Sequence, residues 1–250
     1  MGISKEELNK IALDYYTNEN IPDKHIEDLG QIYTIEWVKK HLQGKTQVLE
    51  LGYGEGIFTN ALVHDNYNVT LVEGSSVLID KAKEKFGQKV DYVHCLFEDY
   101  EQVKKFDAIL ALHVLEHIEQ PRVLLQQMKR WLKDDGVIIA IVPNKNSIHR
   151  KLAVIMGLQP ALDTLSQRDL LVGHQRVYSL ETLEADIKAT NYHVVDSTGF
   201  FLKVLPNSMM LEYSQDLLRA LNEVSNCIPK DLLANIGVVA QIQNKELSTS

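Results

Sequence analysis

The sequence predicts an α/β fold: a doubly wound, mostly parallel seven-stranded sheet with helices on both faces, a helical segment before it and an insertion after strand 5. Three observations predict it. The apolar run Val48-Leu49-Glu50-Leu51 enters a glycine-rich turn, Gly52-Tyr53-Gly54-Glu55-Gly56, and the next apolar run, Val69-Thr70-Leu71-Val72, ends in Glu73. From Thr46 onward, strand-like runs alternate with helical periods, which implies parallel strands joined by right-handed crossovers. The 250 residues, 45% of them hydrophobic, suit one large domain with a modest accessory layer.

In chain order, Leu8, Ile11, Ala12 and Tyr15 recur at helical spacing over residues 4–18, behind a Ser4/Glu7 capping box. A second helix is expected from about Glu27 to Leu42, ended by Gly44. Residues 1–44 thus read as a helical lid. The core, 45–143, holds strands near 46–51, 68–73, 90–94, 106–112 and 136–142. Its helices fall near 56–65, 75–86 and 121–132, the last opened by Pro121. The regularity breaks after Val142-Pro143-Asn144, and residues 144–178 read as a polar, basic insertion covering the substrate. Over 179–250, Ser179 caps a helix, and strands near 192–198 and 235–242 flank a helix near 207–225. The tail Asn244–Ser250 is polar and expected to fray. Ligands of such sheets sit at the carboxyl ends of the strands, so the loops after Leu51, Glu73, His94 and Leu112 should converge on one cleft.

Composition narrows the function. No run of about 18 apolar residues exists to span a membrane. The polar start, Met1-Gly2-Ile3-Ser4-Lys5, lacks the apolar region of a signal peptide. Gly2 invites a myristoylation reading, which Glu6 in place of Ser or Thr rejects. Cys95 and Cys227 have no metal spacing and read as reduced thiols of a cytoplasmic protein. The net charge of −8 disfavours a phosphate-backbone partner and favours a small-molecule one. A monomer or homodimer is expected.

Strand, glycine turn, helix, strand and acid form the physical recipe for holding an adenosine, with Glu73 placed to accept from the ribose hydroxyls. Ile57 stands where a dinucleotide fingerprint needs its third glycine. Glu50 and Glu55 around the turn suit a cation better than a pyrophosphate, and S-adenosylmethionine carries a sulfonium and an ammonium.

The run Glu50-Leu51-Gly52-Tyr53-Gly54-Glu55-Gly56 resembles motif I of the class I S-adenosylmethionine-dependent methyltransferases. Glu73, Leu96-Phe97-Glu98-Asp99, the Phe106–His117 segment and Trp131-Leu132-Lys133-Asp134-Asp135-Gly136 match later motifs in order. Within that family the chain resembles the ubiquinone-biosynthesis O-methyltransferase-like branch. The resemblance implies a Rossmann-like sheet whose last strand is antiparallel, and S-adenosylmethionine as cofactor. The cofactor contacts it implies are Glu50, Gly52, Tyr53, Gly54, Gly56, Glu73, Gly74, Ser75, Leu96, Phe97, Glu98 and His113.

Methyl transfer is an in-line displacement from an already cationic leaving group, so alignment does much of the work. A hydroxyl acceptor also wants a base, for which histidine suits neutral pH. His174, His113 and His149 are the candidates, His174 favoured. The acceptor would be shaped by Tyr15, Tyr16, His25, Asn144, Arg150, Arg168, His174, Arg176 and Tyr178. Two of the arginines could clamp a carboxylate, which would need no base. His113-x-x-Glu116-His117 departs from the Glu-x-x-Glu-His version with which some related families bind metal, so no metal is expected and Glu116 and His117 read as braces. The absence of Asp/Asn-Pro-Pro-Tyr/Phe or Pro-Cys after the fourth strand argues against adenine-N6, glutamine and cytosine-C5 methylation. The expected function is methyl transfer to a small molecule, at hydroxyl or carboxylate oxygen. The alternatives are a small-molecule N-methyltransferase or a non-catalytic binding protein. A nicotinamide-dependent oxidoreductase is disfavoured by the missing glycine and the lack of Tyr-x-x-x-Lys.

Overall fold

The computed structural model describes residues 3–101 and 104–243. Gly2 and the tail Asn244–Ser250, on which the acylation and fraying readings fall, lie outside the described residues. The strands are β1 (Gln47–Leu51), β2 (Asn68–Glu73), β3 (Val90–His94), β4 (Phe106–Leu112), β5 (Leu132–Pro143), β6 (Tyr192–Phe200) and β7 (Asn235–Ile242). They form one sheet in the order 3-2-1-4-5-7-6, with β7 antiparallel to both neighbours and the other pairings parallel. Crossovers from β1 run one way and from β4 the other. The cleft therefore opens between the carboxyl ends of these two central strands, where the winding reverses.

Alternation along each strand builds two apolar faces. Leu49, Leu51, Ile109, Ala111, Ile138 and Ala140 pack beneath α6 (Pro121–Trp131) and α9 (Leu180–Ala189). Val48, Ala108, Leu110, Ile139 and Ile141 pack beneath α3 (Ile35–His41), α4 (Ile57–His64) and α5 (Ser76–Phe86). Trp131, Phe106 and Leu110 are almost fully buried there.

The expected starts hold where a cap defines them. α1 (Lys5–Ile11) begins behind the Ser4/Glu7 capping box. α5 is capped by Ser75, and α6 begins at Pro121. At α9, Ser179 Oγ accepts from Thr182 N at 3.2 Å while Thr182 Oγ1 accepts from Ser179 N at 2.9 Å. Ser179→Ala is expected to cost about 1 kcal/mol in urea unfolding, the usual worth of such a cap; an unchanged midpoint would show that packing alone sets this helix start.

Four segments differ from expectation. The first helix ends at Ile11 and continues as one wider π turn, Ala12–Tyr16, closed by Thr17 N on Ala12 O at 2.8 Å. The second is two helices, α2 (Lys24–Ile32) and α3, because Thr34 Oγ1 donates to Gln31 O at 2.7 Å where the chain turns. The insertion folds into α7 (Ile148–Ile155) and α8 (Gln167–Leu171). The helix expected near 207–225 shortens to a single turn at Asn207–Met209 and α10 (Gln215–Val224). α2 packs through Ile26 against Phe201, Met210 and Leu218, so the lid leans on the C-terminal segment. Among the described residues no helix is long and apolar enough to cross a membrane.

Candidate active site

The loops after β1, β2, β3 and β4 do meet at one cleft. Gly52, Gly54 and Gly56 all take positive φ (79°, 52° and 69°), a backbone path that side chains resist. Gly52 and Gly54 line the cleft, and Gly56 does not. A Cβ on Gly56 would lie 2.5 Å from the Tyr53 ring, so this glycine makes room for Tyr53 to fold back over the turn. Gly74 makes room in the same way. A Cβ there would meet Leu8 of the lid at 2.5 Å and Leu96 at 3.1 Å, two side chains that close the cleft above it.

Glu73 ends β2 as a buried carboxylate. Its Oε2 accepts from Tyr53 N at 2.9 Å and its Oε1 from Ser75 N at 2.7 Å, which locks the turns after β1 and β2 together. Burial raises its pKa, while those backbone hydrogen bonds pull the other way. Each oxygen keeps a lone pair for a further donor. Leu96, Phe97 and Glu98 line the cleft at the short turn Phe97–Asp99, beside Ser75 and Leu78.

Glu50 lines the floor, where its Oε2 accepts from Thr59 Oγ1 at 2.8 Å. Burial pushes its pKa up to about 8, against the Thr59 hydrogen bonds. A cation beside it would draw the proton off. The sign follows from linkage: with a folded pKa above the ordinary 4.5, the chain holds an extra proton when folded, and stability falls as pH rises from about 4.5 to about 8. Binding of a ligand ammonium next to Glu50 is expected to tighten over the same window and to release protons. Calorimetry in buffers of different ionisation enthalpy checks this. Glu50→Gln should flatten both slopes, and slopes that persist in the variant would assign them to another group.

Glu55, which in sequence offers negative charge to the ligand, is committed elsewhere. Its carboxylate is taken by Lys24 at 2.8 Å and approached by Lys81 at 3.9 Å. The same lysines donate to Tyr16 O at 3.0 and 3.1 Å. Glu55 thus ties the lid to the glycine turn. On the lid's other side, Asn9 Oδ1 accepts from Ser75 Oγ at 2.8 Å and Ser76 Oγ at 3.2 Å.

His113 follows β4 with φ +57°, and its N–H donates to Ile141 O at 2.8 Å. Its ring lines the cleft, with Nδ1 3.3 Å from Glu116 Oε1 and Nε2 buried without a partner. Of the residues expected around the acceptor, Tyr16 lines this cleft. Tyr15 packs edge-on behind it, ring centroids 5.2 Å apart. The insertion instead ties itself down with its own polar groups. Arg150 is buried and donates to Asp169 at 2.7 Å and to the Leu162 and Thr164 carbonyls, while Arg168 pairs with Asp23 and Glu27. Arg176 donates to Glu119 O at 3.0 Å, Tyr178 Oη to Asp186 at 3.2 Å, and Asn144 Nδ2 to the Asp231 and Leu233 carbonyls. His25 contacts Pro22 O on the exposed surface. Burial drives the pKa of His149 well down, and this ring does not line the cleft. His174 lies behind the wall: its Nδ1 is 3.0 Å from Asp169 Oδ1 and its ring meets that of His117 edge-on at 4.6 Å. The arginine clamp is therefore not assembled, because short helices in a polar insertion need those charges as internal ties.

Sequence reasoning missed Leu8, Ile11 and Gln31 of the lid and Val172 and Gln175 of the insertion, all of which line the cleft. The apolar face of the capped first helix was the available signal, since that face has to pack on something. His117 lines the cleft as well, and with Glu116 and His174 it forms a group of possible metal ligands.

A family model for a methyltransferase domain matches residues 24–197. The chain belongs to that family. It is a class I S-adenosylmethionine-dependent methyltransferase, and S-adenosylmethionine is its cofactor. The ubiquinone biosynthesis O-methyltransferase of Actinobacillus pleuropneumoniae serotype 7 is 31% identical over 170 residues, 64% of this chain and 72% of that protein. The protein of the same name from Rickettsia typhi is 28% identical over 131 residues, 50% of this chain and 52% of its own length, so the chain spans about half of that relative. Among solved structures, a methyltransferase of Thermotoga maritima described as a possible histamine N-methyltransferase superposes with a TM-score of 0.65 at 15% identity, over 94% of this chain and 98% of that one. The CcbJ methyltransferase of Streptomyces caelestis gives 0.63 at 14% identity, over 97% and 100%. At such identities these two share the fold.

Proposed function

We propose that this methyltransferase transfers the methyl group to an oxygen of a small molecule, with His113 as the base. The observation that carries the reading is the His113 ring: it lines the cleft at the carboxyl end of β4 with a buried, unpartnered Nε2. The cofactor suits the residues present. The ribose hydroxyls would donate to the free lone pairs of Glu73. The methionine end would lie over Gly52 and Gly54 toward Glu50, and the adenine against Leu96 and Phe97 near Glu98. Tyr53, Gly74 and Ser75 would shape the wall between them, and Gly56 would act through Tyr53. When bound, the cofactor would supply an electrophilic methyl on its sulfonium, which the acceptor oxygen would take as the sulfonium is released as a neutral thioether. His113 Nε2 would take the proton of the acceptor hydroxyl. Glu116 lies beside His113 Nδ1, 3.3 Å away, on the side of the ring turned from the acceptor. The relatives named as O-methyltransferases support oxygen over nitrogen. The net charge of −8 supports a small-molecule acceptor over nucleic acid. Action as a monomer or homodimer in the cytoplasm belongs to the same reading.

The test is transfer of labelled methyl from S-adenosylmethionine across hydroxylated aromatics, aliphatic alcohols, carboxylic acids, amines and RNA. Label entering a hydroxyl compound in a His113-dependent manner supports the reading. Transfer to amines alone would overturn the oxygen assignment. Cofactor binding with no transfer to any class would favour a binding protein.

A further inference from the structure

The cleft does not end at the turn that carries Leu96 and Glu98. It runs on into a second depression of about 360 Å³, which shares Leu96, Glu98 and Ile118 with the cleft and reaches Val123 and Leu124 of α6. That volume lies at the small end of ligand pockets. Ile118 and Leu124 are buried, and Val123 beside them is an apolar side chain left 45% exposed. The walls are formed in advance. Gln127 Nε2 of α6 donates to Glu98 O at 3.4 Å, and the Trp131 and Tyr100 rings meet edge-on with centroids 4.9 Å apart, so α6 is fixed to the Phe97–Asp99 turn. A ligand group entering there has no wall to order first.

What this space can take follows from the orientation of the base. In adenosine the nitrogen bonded to ribose and the exocyclic amine lie at opposite ends of the purine. With the ribose on Glu73 and the base against Leu96 and Phe97, the amine end points away from Glu73 and toward Glu98. Glu98 is where cleft and depression join. We propose that the depression accepts an uncharged apolar group carried on the exocyclic amine, so that the protein binds N6-alkylated and N6-benzylated forms of its cofactor as well as the parent. The inference rests on the cofactor placement given above.

The class of group follows from the lining. Ile118, Val123 and Leu124 offer apolar surface, and each methylene fully buried against such surface is worth about fourfold in affinity. The charged lining residues, Glu98 and Glu119, are both acidic, so an anionic group would be repelled. Alkylation leaves one N–H on the amine to face Glu98. A site closed around the amine would reject the same group, because packed walls resist added volume.

The test is calorimetric titration of the full chain with S-adenosylhomocysteine and with N6-benzyl-S-adenosylhomocysteine. The wild type is expected to bind the benzyl form as tightly as the parent, within about threefold, or more tightly. Val123 does not line the cofactor cleft, so its substitution reports on the depression. Val123→Trp fills the space and should weaken the benzyl form at least about tenfold, with the parent held within about twofold. Val123→Glu suits the first turn of a helix, sets a charge against the substituent, and should weaken the benzyl form at least about threefold with the parent unchanged. It decides the matter should the tryptophan variant lose the parent too. Binding of the benzyl form more than threefold weaker than the parent in the wild type would overturn the proposal. Undiminished benzyl binding in both variants would place the substituent elsewhere and overturn it as well. The two readings separate cleanly: a wild type that binds neither compound removes the cofactor placement itself, whereas one that binds the parent and rejects the benzyl form removes the depression alone.

Discussion

Replacing Glu73 with alanine is expected to weaken S-adenosylhomocysteine binding at least about 100-fold, or about 3 kcal/mol. Two effects add. The variant loses the acceptor proposed for both ribose hydroxyls, and charge-acceptor hydrogen bonds of this kind contribute about 1.5–3 kcal/mol. It also strips Tyr53 N and Ser75 N of their partner, which loosens the two turns that frame the cleft. Glu73→Gln should fall between the two proteins, because its amide oxygen accepts for only one side. Calorimetric titration of the three proteins checks the order. An alanine variant that binds within a few-fold of wild type would remove Glu73 from the cofactor site.

The second large effect is on turnover. His113→Asn is expected to lower kcat by about 10²–10⁴, the range a positioned base contributes, with S-adenosylhomocysteine affinity changed only a few-fold. Asparagine is the informative substitution because His113 holds φ +57°, and asparagine tolerates that backbone where alanine would add strain. Added imidazole should restore part of the lost rate, since it can occupy the vacated space and take the proton. A variant with unchanged kcat would show that the acceptor needs no base from this residue, as a carboxylate would not.

Much of the fold is legible in the chain because local chemistry sets it. β2, β3, β4 and β7 have the expected bounds, since apolar runs bounded by turns admit few other readings. Ser4, Ser75, Pro121 and Ser179 mark helix starts because each satisfies or removes orphan backbone donors within a few residues. What failed was of another kind. The split between α2 and α3 depends on a single Thr34 hydroxyl competing for Gln31 O, an event too local for periodicity to register. The wider turn at Ala12–Tyr16 occurs where the lid meets the glycine turn, through Lys24, Lys81 and Glu55.

The site divides along the same line. The glycine turn, Glu73 and the Leu96–Glu98 turn lie within a few residues of strand ends, so knowing the strands places them at the cleft. The insertion had no such frame. Its arginines and histidines carry the right chemistry for an acceptor, but a charge in sequence does not reveal its partner. Arg150 meets Asp169, Arg168 meets Asp23, and the insertion's part of the cleft wall is left to Val172 and Gln175.

The sequence by itself determined the alternating α/β order, the cofactor class and the carboxylate at the end of the second strand, because these rest on contacts between near neighbours and on strand periodicity. The tertiary structure alone decided that Glu55 belongs to the lid and that His113 rather than His174 faces the cleft. It also decided that His174 comes beside Glu116 and His117. Each of these depends on long-range packing, which chooses among partners that the chain supplies in excess.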